Sequence, residues 1–134
     1  MRPSVRLALF SIFTIPPCAA PNGATVTASL DEAPASLVQA LTQRIGKLVA
    51  PGARFDETDV LITGRNRRLI FIWNAGTRWI VATEHGGYVY NDPIFVYDLS
   101  PDSQSATFVE ERIAGPKTVC TIASGLVKSR RRAR

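Results

Sequence analysis

Apolar residues crowd three runs in the middle of the chain, Leu69 to Trp73, Thr77 to Glu84 and Tyr88 to Leu99, and two short breaks separate them. The runs are rich in β-branched and aromatic side chains, which suit a pleated, half-buried surface. The breaks carry Asn74-Ala75-Gly76 and His85-Gly86-Gly87. Gly and Asn supply the positive φ of tight hairpins, so the pattern predicts a β-meander. Further strands are expected at 58–63, 104–113 and 118–123, and the run at 88–99 is broken by Asn91-Asp92-Pro93. Each connection is short and holds turn chemistry, which makes sequential neighbours antiparallel.

A different period precedes the strands. Leu37, Val38, Leu41, Ile45, Leu48 and Val49 form one stripe at the 3.6-residue spacing, with Ser36, Gln39, Gln43, Arg44 and Lys47 opposite. Asp31-Glu32-Ala33-Pro34 offers a helix start and Pro51-Gly52 a stop. The expected fold is α+β: one amphipathic helix packed on a five- to six-stranded antiparallel meander sheet, after an N-terminal signal peptide. In chain order this reads as a signal peptide at 1–20, a flexible lead-in at 21–30, a single domain at 31–127 and a disordered basic tail at 128–134.

Register can be pushed further. Flanking the first turn with Trp73 and Thr77 sets Phe71 against Trp79 and Leu69 against Val81. One sheet face then holds Leu69, Phe71, Trp73, Trp79, Val81, Thr83, His85, Tyr88 and Tyr90, and the other Ile70, Ile72, Arg78, Ile80, Ala82 and Glu84. Both faces are partly apolar, and a helix of about four turns covers only one of them. The second face needs sheet curvature, the N-terminal segment, a second copy or a partner to cover it, and function is expected there.

Charge sharpens the picture. The net charge is +5, yet Arg2 and Arg6 lie in the leader and Lys128, Arg130, Arg131, Arg132 and Arg134 in the tail. Residues 21–127 hold nine basic groups against all eleven acids, a balance of −2. A nucleic-acid-binding fold carries its positive charge on the folded face, so no specific nucleic acid is expected. The tail is expected to make weak electrostatic contact with anionic surfaces.

Residues 1–20 have the layout of a secretory signal: basic Arg2 and Arg6, nine apolar-rich residues at 7–15, then Pro16-Pro17 and small residues at Cys18-Ala19-Ala20. Nine residues are too short for a transmembrane span. A cut after Ala20, Ala24 or Ala28 is expected, and the localisation is periplasmic or extracellular. Loss of Cys18 would leave Cys120 alone, without an intramolecular disulfide. Ile15-Pro16-Pro17 ahead of Cys18 is a poor lipidation signal.

Catalytic and metal constellations are sparse. His85 is the one histidine, and no Gly-x-Ser-x-Gly elbow or cysteine motif accompanies it. Pairing His85 with Cys120 and an aspartate is the formal route to a hydrolase. Asp56, Glu57 and Asp59 lack calcium-loop spacing. No cofactor, metal or enzymatic activity is expected. The binding candidates are Trp73, Arg78, Trp79, Tyr88, Tyr90 and Tyr97. Such rings form cores or serve as binding hot spots. The expected function is an exported non-catalytic domain that binds another protein, of inhibitor, immunity or envelope-factor type, or associates with itself through a sheet face. The alternative is a carrier holding a small apolar ligand between helix and curved sheet, with Arg78, Tyr88 and Tyr90 as its polar groups.

Overall fold

A computed structural model of the protein describes residues 18–54, 67–86 and 91–129. In order these form β1 (Thr25–Thr27), a 3-10 turn (Leu30–Glu32), α1 (Ala35–Ile45), β2 (Arg67–Ala75), β3 (Arg78–His85), β4 (Asp92–Leu99), β5 (Ala106–Ala114) and α2 (Val119–Ser129). The strands make one antiparallel sheet in the order β1-β2-β3-β4-β5, so the fold is an α+β meander.

The predicted first helix is shorter than its apolar stripe. Pro34 precedes its first turn, and Gly46 ends it at φ 78° with its N–H on the Thr42 carbonyl. That left-handed conformation suits glycine and stops the helix before Leu48 and Val49. Val49 instead joins β2: its N–H meets the Arg67 carbonyl at 3.0 Å, and its carbonyl accepts from Leu69 N–H at 2.9 Å. Asp31 and Glu32 belong to the separate 3-10 turn.

Two strand assignments change. The lead-in supplies β1, which the small, polar 21–30 stretch did not announce. Residues 119–123, expected as strand, begin α2 instead. The Gly115 N–H bonds the Thr118 hydroxyl oxygen at 2.9 Å, and Val119 N–H reaches the Gly115 carbonyl at 3.0 Å. That turn launches a helix whose buried residues Val119, Ala123 and Leu126 are spaced by four and three. The expected strand at 58–63 and the acids Asp56, Glu57 and Asp59 lie outside the described residues, as does the tail from Arg130. Lys128 and Ser129 belong to α2.

The first hairpin also closes differently. Ala75 pairs with Arg78, so the loop is the two residues Gly76-Thr77, with Gly76 at φ 66°. Positive φ at the first central position alone is the requirement of a type II′ turn. Relative to the expected register the strands slip by an odd number of residues, which turns one strand's side chains over. A bulge at Ile70 then returns Leu69 to its expected parity, though opposite Thr83 and not the expected Val81. The expected single face is therefore split. Leu69, Trp79 and Val81 lie under α1 with Leu37, Leu41, Ile72, Phe95 and Tyr97. Phe71 and Trp73 lie under α2 with Ile80, Ala82, Ile94, Val96, Val119, Ala123 and Leu126.

The second face is covered by α2 together with the N-terminal segment, whose Cys18, Ala20 and Ala24 pack against that cluster. Cys18 and Cys120 are joined by a disulfide, with Cα atoms 5.4 Å apart and a sequence separation of 102. In this chain Cys120 is therefore paired; a solitary Cys120 was the expectation for a chain that has lost Cys18 with its leader. No helix among the described residues is long and apolar enough to cross a membrane.

Candidate functional site

The aromatic candidates are packing residues. Trp73 is fully buried and stacks on Phe71 with ring centroids 4.2 Å apart. Trp79 and Tyr97 are buried on the opposite face. Tyr97 meets the Phe108 ring edge-on at 5.6 Å, and the Arg44 guanidinium lies 3.4 Å from that ring's centroid. Burial pushes the Tyr97 phenol pKa up, and nearby Arg44 opposes the shift. Tyr88 and Tyr90 lie outside the described residues. The structure thus brings none of the three described rings to a surface.

Arg78 has a structural task that the sequence did not suggest. It stands opposite Asp98, and its Nε donates to Asp98 Oδ1 at 3.2 Å. A second guanidinium nitrogen donates to the Ser129 hydroxyl at 3.4 Å, which itself donates to the Leu126 carbonyl at 3.0 Å. A cation at the last turn of α2 also complements the negative end of the helix dipole. Arg78 is only 8% exposed, so it ties α2 to the sheet and offers little to a ligand.

A second group of ionisable residues gathers at the opposite end of the sheet. Arg67 pairs with His85 across β2 and β3, and His85 bridges to Asn91. Arg68 Nε donates to Glu84 at 2.5 Å, and its other nitrogen reaches the Ala53 carbonyl at 3.0 Å. Burial, with Arg67 adding to it, holds the His85 pKa below its ordinary value and so favours the neutral imidazole. Burial pushes the Asp92 carboxyl up to about 6, and the negative charge of Glu84 contributes. Cys120, the thiol proposed as nucleophile beside His85, is committed to its disulfide on α2. No group of three or more metal-ligating side chains occurs among the described residues.

The strand expected at 104–113 forms as β5, but its exposed apolar residues were not among the binding candidates. It is an outer strand of the sheet, nine residues long, with Val109 at 40% and Ile113 at 59% exposure. Val109 is the extra residue of a bulge, since Val96 pairs with Glu110 and Tyr97 with Phe108. Glu110, Glu111 and Arg112 lie between the two exposed apolar residues, and Arg112 Nε is 3.5 Å from Glu110. Bulges and charges of this kind restrain an outer strand from indiscriminate pairing. The only signal in the sequence was its mixed pattern, with Val109 and Ile113 flanking consecutive charges.

Comparisons with protein-family models, with curated proteins and with solved structures found no match in any of the three.

Proposed function

We propose that this is an exported, non-catalytic domain that acts by binding another protein, and that β5 is its contact strand. The observation that carries this reading is the nine-residue outer strand with Val109 and Ile113 exposed, on a sheet whose two faces are both taken up by helices. An outer strand offers backbone hydrogen bonds for affinity, and its side chains give specificity. The disulfide supports export, because such bonds persist in oxidising compartments. On this reading the leader ends ahead of Cys18, and an inhibitor, immunity or envelope-assembly role fits the absence of a recognised catalytic motif in the sequence. The carrier alternative draws less support, since Leu37 and Leu41 of α1 are buried in the same cluster as Ile72, Val81 and Phe95 of the sheet.

Site-specific photo-crosslinking tests the reading. A photoreactive residue at Val109 or Ile113 should give one dominant protein adduct in the producing cell. The same probe at Gln43, exposed on α1, should not. Equal labelling from all three positions, or none, would remove β5 as the contact strand.

A further inference from the structure

We propose that the Cys18–Cys120 disulfide is a redox-operated clasp that holds β1 over the edge of β2, so that its reduction frees the N-terminal segment and uncovers that edge while the rest of the domain stays folded. The outer side of β2 is covered in two pieces. Val49 takes the part at Arg67–Leu69, and β1 takes the part at Ile72–Asn74 through Thr25, Val26 and Thr27.

The second piece is weakly held on its own. β1 has three residues, two of them exposed, and Val26 is 57% open to solvent. Its lead-in contributes Ala20 and Ala24 to the α2 cluster, and both are only partly buried. Small side chains gain little from partial burial, at roughly 25 cal/mol per Å² of apolar area removed from water. The disulfide is the one covalent restraint on this segment, and it ties the segment to α2. Every buried apolar residue of the two clusters lies between Leu37 and Leu126. Release of residues 18–27 therefore takes no side chain out of the buried core.

Both sulfurs belong to half-buried residues, which leaves a path for a reductant. The step is a two-electron exchange. A dithiol reduces the Cys18–Cys120 bond, each cysteine sulfur gains a proton and an electron, and the dithiol leaves as its own disulfide. With β1 gone, the N–H and C=O groups of β2 around Ile72–Asn74 lose their partners and become a template for strand addition.

Hydrogen exchange on the full-length protein, read by mass spectrometry with and without dithiothreitol, tests this. On reduction, the backbone amides of 25–27 and those of 72–74 that face β1 should exchange roughly 10- to 100-fold faster, as expected for local opening. Amides of α1, β3 and β4 should keep their protection. The double variant C18S/C120S should reproduce the reduced pattern without reductant. Unchanged protection at 25–27 and 72–74 would show that packing alone holds β1. Loss of protection across β3 and β4 would show that the disulfide holds the whole fold. Either result overturns the proposal.

Discussion

Asp92 is the residue whose environment most opposes its ordinary chemistry. It is 2% exposed at the start of β4, and its carboxyl is pushed up to about 6 by burial, with Glu84 adding to the effect. The folded chain therefore binds this proton more tightly than the unfolded chain does. Its contribution to stability is fully present below the ordinary carboxylate pKa and is lost as pH rises through about 6. Asp92→Asn removes the charge at nearly constant shape. The variant should melt at a higher temperature than the wild type at neutral pH, and the gap should close as the pH is lowered below the ordinary carboxylate range. Thermal melts across that range measure it, and a gap independent of pH would contradict the account. Arg78 illustrates the opposite case, a charge whose place is satisfied by Asp98 and Ser129. Its role was not readable in sequence, because Ser129 is 51 residues away and belongs to a helix that was not expected.

At the scale of elements, α2 decides how the sheet is used. Thr118, Val119, Thr121 and Ile122 are β-branched, and a six-residue window over them favours a strand. The helical period emerges only over a longer span, through Val119, Ala123 and Leu126. Burial of that stripe against the sheet overrides local preference. The central strands were legible, since β2, β3 and β4 fall where alternating runs and turns put them. Which residues share a face was not, because a two-residue turn at Gly76-Thr77 and a bulge at Ile70 each shift parity by one strand position. The same limitation hid the exposure of Val109, which depends on a second bulge and on β5 being outermost. If α2 is structural to the same degree as α1, then Leu126→Ala and Leu41→Ala should cost similar amounts. Truncating a buried leucine costs about 2–5 kcal/mol. Denaturant unfolding of both variants measures this, and a negligible loss for Leu126→Ala would show that α2 is a loosely docked appendage.

The described residues form a five-stranded sheet between two unlike covers. One is α1. The other is α2 completed by the N-terminal segment and sealed by a bond that spans 102 residues. Closing a loop of that length stabilises a fold by roughly 2–5 kcal/mol through the unfolded chain. The sequence assigned Cys18 to the departing leader, so the bond could not be foreseen from cysteine spacing alone. On the proposed reading, the outer strands of the described sheet serve recognition, and export would supply the oxidising setting in which such a bond persists. The intact mass of the protein recovered from outside the cytoplasm, taken before and after reduction, tests this most directly. The account predicts a chain that begins at or before Cys18 and gains one hydrogen on each of Cys18 and Cys120 when reduced. A mature chain beginning after Ala20, with Cys120 as a free thiol, would contradict it.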